Sequence, residues 1–264
     1  MISLLKFVGI MSRTIFVSLG ENISLIIFFA GAGGAIGRRL TPLLRAAGHK
    51  VVGTTRSADK VAALIALGAE PVVVDVFDAV KLVHAVDIAR PQVVIHQLTD
   101  LPCAPGTPGY EAGLDCNAHL RVEGTRNLVI AAKSAGVRRM VAQSIAFVYA
   151  PGDRARVESD PLNIGADGTL GRTVAAVSAL EQSVLSMPDG IVLRYGFLYG
   201  PGTWFGDKPA RKPALHVDAA AQAALLALSK GNPGIYNIAE DDPALSSEKA
   251  KAELNFDSKF RLPQ

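Results

Sequence analysis

Cysteine is nearly missing from this chain: there are two in 264 residues, Cys103 and Cys116, and neither belongs to a Cys-x-x-Cys pair. That excludes a disulfide framework. It points to a reducing, cytoplasmic setting in which both are unpaired structural thiols. Concentrated basic charge is missing too. The net charge is +3, and Lys and Arg are scattered with no run of five. A nucleic-acid groove is therefore not expected, and only a mild attraction for anionic ligands remains. His49, His84, His119 and His216 show no metal-ligand spacing with each other or with the cysteines, so no metal site is expected. No uncharged apolar stretch near the N-terminus reaches the roughly 18 residues of a membrane helix. Lys6, Arg13 and Glu21 interrupt that apolar region, and no small-residue cleavage site follows it. Residues 1–23 thus read as an extension, an extra strand or a disordered tail, with no membrane or targeting role. No internal repeat or low-complexity tract occurs.

What is present is apolar and periodic. Hydrophobic residues make up 49% of the chain and charged residues 19%, enough for a large buried core. From residue 24 to about 195, apolar runs of strand length alternate with helical patterns, as in a parallel sheet covered on both faces. Strands are expected at Leu25 to Phe29, Val51 to Thr55, Val72 to Asp75, Val93 to Ile95, Arg139 to Ser144, Ile191 to Tyr195 and Ile235 to Ile238. Helices are expected over 35–47, from a Ser57 cap to Gly68, and over Asp78 to Ala89. Others follow over Cys116 to Ala135, 172–186 and 217–230. A Pro- and Gly-rich loop follows the fourth strand, residues 150–170 are irregular, and the chain ends in a polar tail.

The segment Ala30-Gly31-Ala32-Gly33-Gly34-Ala35-Ile36-Gly37 leaves a strand and opens a helix. Gly31 permits the tight turn. Gly34 lets backbone approach a pyrophosphate without a Cβ in the way, and Gly37 lets the helix pack closely on the sheet. The helix N-terminus offers free N–H groups and a partial positive charge to phosphates. Residues 31–37 therefore read as a dinucleotide-binding turn. The end of the second strand selects the nicotinamide cofactor: an acid holds the ribose 2′-hydroxyl of NAD, an Arg the 2′-phosphate of NADP. Here it reads Thr54-Thr55-Arg56-Ser57, with no acid. Arg56 and Ser57 make NADP the expected cofactor and NAD the alternative, with Arg38 pointing to the same region.

With these residues in hand, the chain resembles an extended short-chain dehydrogenase/reductase of the NAD-dependent epimerase/dehydratase type, over about residues 24–260. The glycine turn is similar to that family's. Asp75-Val76-Phe77-Asp78 resembles its adenine-contacting stretch, which implies that Asp75 and Val76 flank the adenine. Val94-Ile95-His96-Gln97-Leu98 resembles the segment beside the cofactor ribose, which implies roles for Gln97 and Leu98. Glu123-Gly124-Thr125-Arg126-Asn127-Leu128 resembles the long-helix signature. Gln143 to Tyr149 resembles the strand with the catalytic Ser or Thr, and Arg194 to Gly202, including Tyr195, the segment near the nicotinamide. The implied fold is α/β, a Rossmann-type doubly wound parallel sheet. Its expected parts are an NAD(P)-binding domain over 24–200 and a reduced substrate-side subdomain over 201–264.

Two departures from the family pattern matter. Its Tyr-x-x-x-Lys pair exchanges a proton with the substrate as hydride moves. Aligned through Leu180-Glu181-Gln182, those positions hold Thr173 and Val177. The substrate lobe is also cut down, since only Thr203 to Ala214 separate Gly202 from Leu215-His216-Val217-Asp218. A proton relay would then come from Ser144, at the end of the fifth strand, from Tyr149, or from water. His96 reads as a satisfied core residue, and Glu158 and Asp160 as loop caps. The expected function is an NAD(P)-dependent oxidoreductase or epimerase/dehydratase-like protein for a small or sugar-like hydroxyl or carbonyl compound. The alternative is a catalytically inactive dinucleotide-binding sensor or scaffold. A homodimer on the long helices is what the resemblance implies.

Overall fold

The computed structural model describes residues 24–101 and 103–263; the extension expected over 1–23 lies outside them. The chain alternates through β1 (Ile26–Ala30), α1 (Ala35–Ala46), β2 (Lys50–Thr55), α2 (Val61–Ala66), β3 (Glu70–Val73), α3 (Ala79–Ala89) and β4 (Val93–His96). It continues through α4 (Tyr110–His119), α5 (Thr125–Ser134), β5 (Arg139–Ile145), α6 (Gly168–Leu185) and β6 (Asp189–Tyr195). Two short strands, β7 (Phe197–Tyr199) and β8 (Ala214–His216), pair with each other. Then come α7 (Val217–Leu226), β9 (Gly234–Ile238) and α8 (Glu248–Leu254).

Seven strands form one sheet in the order β3-β2-β1-β4-β5-β6-β9, every neighbour parallel. Side chains alternate along each strand, so the sheet buries two apolar layers. Ile27, Phe29, Ile95 and Leu193 pack with Leu40 of α1 and Ala220 of α7. Phe28, Val94, Met140 and Val192 pack with Val86 of α3, Leu128 of α5 and Leu180 of α6. A 2.7 Å ion pair between Arg39 and the buried Asp218 ties α1 to α7. The strand order reverses between β1 and β4, and in such sheets the crevice at the carboxyl ends of those strands is where ligands bind.

Several local expectations are corrected. The helix expected from Cys116 starts six residues earlier, at Tyr110, because Gly109 takes φ 87° and turns the chain into it. Between α4 and α5 the ladder widens into a π-helical turn, Leu120–Gly124. A Cβ at Gly124 would come within 2.9 Å of a Leu120 methyl and 3.1 Å of a Val76 methyl, so glycine lets both side chains pack closely on the turn. Ser57 does not cap α2. Its hydroxyl bonds the Asp59 carboxylate, and a 3₁₀ turn over Ala58–Lys60 precedes the helix. The third strand begins and ends two residues before its expected place. The supposed polar tail contains α8, whose Ala250 and Leu254, with Phe256, are buried. Residues beyond 200 do not all stand apart, since β9 joins the main sheet beside β6.

Candidate active site

The glycine turn sits at the head of the crevice. Gly31 takes φ +100°, and a Cβ there would meet the Gln97 carbonyl at 2.6 Å. A Cβ at Gly37 would lie 2.3 Å from the Gly31 oxygen and 2.4 Å from that of Ala32. The turn closes through Gly34 N–H to Gly31 O at 3.0 Å. Helix α1 starts after Gly34 with no side-chain cap and no acid in its first turn, and the backbone leading into it is exposed at Gly33 and Gly34 and half-buried at Ala35. Ile36 turns into the core. Arg38 donates from Nε to the Gly33 carbonyl at 3.0 Å, which holds a guanidinium beside the turn.

Beside the turn, the ends of β1, β2 and β4 and the chain leaving β3 enclose a cavity of about 90 Å³, lined by Ala30, Thr54, Val74, Val76, Leu82 and Leu98 among others. Arg56 and Asp100 also line it and form a 3.2 Å ion pair. Ser57 is next to that pair in sequence, half-buried. Asp75 Oδ1 accepts the Phe77 N–H at 3.0 Å. The Val76 carbonyl is held by Asn127 Nδ2 at 3.1 Å.

At the centre, Gln97 Nε2 donates to the Tyr195 hydroxyl at 3.2 Å, while Gln97 Oε1 is buried without a partner among the described residues. Burial raises the Tyr195 pKa far above its ordinary value, so this phenol keeps its proton. An uncapped helix N-terminus, a small apolar cavity with a basic edge and an orphaned amide oxygen fit the pyrophosphate, adenine and ribose-side needs of a nicotinamide dinucleotide.

His96 lies fully buried. Its Nδ1 accepts the Leu98 N–H at 3.2 Å, so Nε2 carries the proton and donates to Thr125 Oγ1 at 2.9 Å. Desolvation, aided by the positive charge of Arg121, lowers its pKa to about 4. The unfolded chain therefore binds a proton below pH 6.5 that the folded chain refuses until about pH 4. Stability attributable to His96 is complete above pH 6.5 and declines as the pH falls through that window. Denaturant melts should show the wild type losing about 2–3 kcal/mol more than His96→Asn between pH 7 and 4.5. Parallel curves would assign the acid sensitivity elsewhere.

Ser144 and Tyr149 belong to one polar chain. Ser144 Oγ donates to Glu181 Oε1 at 2.7 Å. Arg194 grips Glu181 with Nε at 2.8 Å and Nη2 at 2.6 Å, and both side chains are almost wholly buried. Arg194 Nη1 donates to the Tyr149 hydroxyl at 2.6 Å, and that hydroxyl donates to Asn237 Oδ1 at 2.6 Å. Burial raises the Tyr149 pKa even beside Arg194. Both hydroxyls thus have committed partners. On α6, which carries neither tyrosine nor lysine, Val177 is fully buried with Val148 and Val174.

Four residues of this region escape sequence reasoning. Arg121 sits on the π turn with 9% exposure. Asn117, four residues earlier, is 1% exposed. Tyr110, at the start of α4, meets Trp204 edge-on at 6.3 Å. The available signal is the inward stripe Gly113, Asn117, Leu120, Arg121, Gly124, where two polar side chains interrupt an otherwise small or apolar face.

A family model described as NAD(P)H-binding matches residues 31–187. A curated protein of a Streptomyces species, 3-diazoavenalumate denitrifying reductase, is 40% identical over 244 residues, covering 84% of this chain and 78% of its own. Among solved structures, UDP-glucose 4-epimerase of Thermotoga maritima in complex with UDP-glucose superposes with a TM-score of 0.70 at 17% identity, covering 89% of this chain and 94% of that one. The Bordetella bronchiseptica enzyme WbmG in complex with NAD has a TM-score of 0.70 at 20% identity, with 92% of each chain covered. At such identities the two solved structures speak for the fold alone. Among the described residues, no helix is long and apolar enough to cross a membrane.

Proposed function

The chain belongs to the NAD(P)H-binding family, and from that premise we propose that it is an NADPH-dependent reductase of aryl diazo compounds. The observation that carries this reading is the 40% identity to a denitrifying reductase over most of both chains. The α6 helix supports it. A carbonyl reductase must protonate the alkoxide it forms, and a Tyr-Lys pair on that helix is the usual device. Aligned through Leu180-Glu181-Gln182, those positions fall on Thr173 and Val177; α6 carries neither Tyr nor Lys, and Val177 is buried.

Bound dinucleotide supplies a hydride. An aryl diazonium that gains a hydride at its ring carbon loses the C–N bond pair with departing dinitrogen. The products are a neutral arene and N₂, and the balance needs no proton from the protein. The residues' tasks are then binding and alignment. Gly31, Gly33, Gly34, Ala35 and Gly37 hold the pyrophosphate at the head of α1. Val76 and Leu98 flank the adenine, with Asp75 holding the turn that follows. Arg56 and Ser57 take the 2′-phosphate once Arg56 exchanges Asp100 for it. Gln97 and Tyr195 face the nicotinamide side. Ser144 and Tyr149 hold β5, β6 and β9 in place through Glu181 and Arg194.

NADPH consumption with benzenediazonium, corrected for the uncatalysed background, tests the reading. One arene and one N₂ per NADPH are expected. Arg56→Ala should weaken NADPH binding about tenfold to a hundredfold and leave NADH within a factor of about two. Tight NADPH binding with no turnover of the diazonium or of simple carbonyl probes would instead favour a dinucleotide-binding sensor. Equal losses for NADPH and NADH would remove the NADP preference.

A further inference from the structure

We infer that Arg121 and Asn117 form an anchor for the anionic oxygen of an arene carboxylate, along the helix that also carries Tyr110 and the π turn after it. Tyr110 lies close enough to Arg121 to act on its charge. This inference rests on the reductase reading, since the anchored molecule is that reaction's substrate.

Arg121 is a buried cation with no hydrogen bond or ion pair to any described residue, whereas the buried Arg194 has a full set. Glu181 is the acid that acts on Arg121 electrostatically, but its two oxygens already receive Arg194 and Ser144. Desolvation outweighs that pull and lowers the Arg121 pKa to about 10. Taking an ion out of water without a partner costs several kcal/mol, and a bound anion removes that cost. Asn117 is one helical turn away. Its Oδ1 accepts the Asp100 N–H at 2.9 Å, and its Nδ2 is buried without a partner among the described residues. The unpaired Asn117 amide and the Arg121 guanidinium, which has no partner among the described residues, lie on one stripe of α4 and the π turn and match a carboxylate, which only accepts.

The aromatic half of the site comes from two distant elements. A Cβ at Gly202 would lie 3.9 Å from Ala35, so the loop before β8 passes over the start of α1. Trp204, two residues on, then reaches across to Tyr110 on α4. A flat ring suits that wall. Trp204 is 45% exposed, which leaves much of its indole free for such a ring.

Calorimetry on the protein saturated with NADP⁺ tests the anchor without any turnover, using cinnamate and methyl cinnamate as probes. The wild type should bind the carboxylate at least about tenfold tighter than the ester. Arg121→Gln should lose roughly a hundredfold for cinnamate and nothing for the ester, with Arg121→Lys between them and NADPH affinity unchanged. The melting temperature of Arg121→Gln should equal or exceed that of the wild type, because an unpaired buried charge has gone. Equal binding of acid and ester by the wild type, or a lowered melting temperature without a change in selectivity, would overturn the anchor. A parallel loss of NADPH affinity would make Arg121 a cofactor ligand instead. If cinnamate binding follows Arg121 while diazonium turnover is missing, the reductase reading fails and the anchor stands.

Discussion

Gly37→Val abolishes dinucleotide binding, with an expected loss of at least about a hundredfold in NADPH affinity by fluorescence titration. The cause is backbone, not side chain. A Cβ at this position falls 2.3 Å from the Gly31 oxygen and 2.4 Å from the Ala32 oxygen, and neither can rotate away. To accommodate it, α1 must lift from the turn, and the N–H groups at its first turn then no longer converge on one phosphate. Gly33→Ala serves as the companion variant. The nearest atom to its Cβ is a Leu64 methyl at 3.9 Å, so it folds normally and reports only on the ligand's approach. NADPH affinity for Gly37→Val within a factor of about three, in a folded chain, would move the phosphate site away from this turn.

Glu181→Ala has the largest expected effect on stability. Arg194 would keep its charge in a site 3% exposed, and Ser144 Oγ would lose its acceptor. Removing one partner of a buried pair costs about 3–5 kcal/mol. For a chain of this size that lowers Tm by about 10 °C. Glu181→Gln keeps one acceptor oxygen, which can serve Ser144 Oγ and Arg194 Nε while Arg194 Nη2 loses its own, and should cost less than Glu181→Ala. The Tyr149 end of the network offers a second readout, because Arg194 bonds its hydroxyl at 2.6 Å. A freed Arg194 would disturb the Tyr149 environment before the global melt. A loss below about 1 kcal/mol in Glu181→Ala would mean that water reaches Arg194 as readily as the carboxylate does.

The glycine turn and the strand before it are legible in the sequence, and the buried polar stripe on α4 is not. A parallel strand buried on both faces is a continuous apolar run, and Ile26 to Ala30 is one. The glycines after it carry their own geometry, because only glycine tolerates φ +100° at position 31 or the approach at 37. Arg56 is visible because it follows β2 directly. Arg121 and Asn117 give no such local sign. On an amphipathic helix a polar residue is ordinarily a solvated one. Asn117 and Arg121 keep ordinary helical spacing with Gly113, Leu120 and Gly124, which shows a shared face but does not tell that the face is buried. The Glu181–Arg194 pair is likewise a tertiary fact: α6 and β6 bring it together, and nothing in either segment alone tells a buried ion pair from two surface charges. The helix at Glu248–Leu254 escapes for a simpler reason. It is seven residues long, and its buried side is only Ala250 and Leu254.

The position of β9 also imposes an order in time. During synthesis β1 to β6 leave the ribosome first, and β6 can dock on β5 while its other side stands bare. That side belongs to Ile191 to Tyr195, a mostly apolar strand whose amides and carbonyls on that edge are still unpaired. Its cover arrives only after Gly196 to Pro233 have been made, a delay of roughly 2–8 s at ordinary translation rates. Until then Tyr149 also waits for Asn237, which β9 delivers. The nascent chain thus passes through a stage with a complete phosphate turn, an open sheet edge and an unfinished polar frame, and chaperone capture would matter most at that stage.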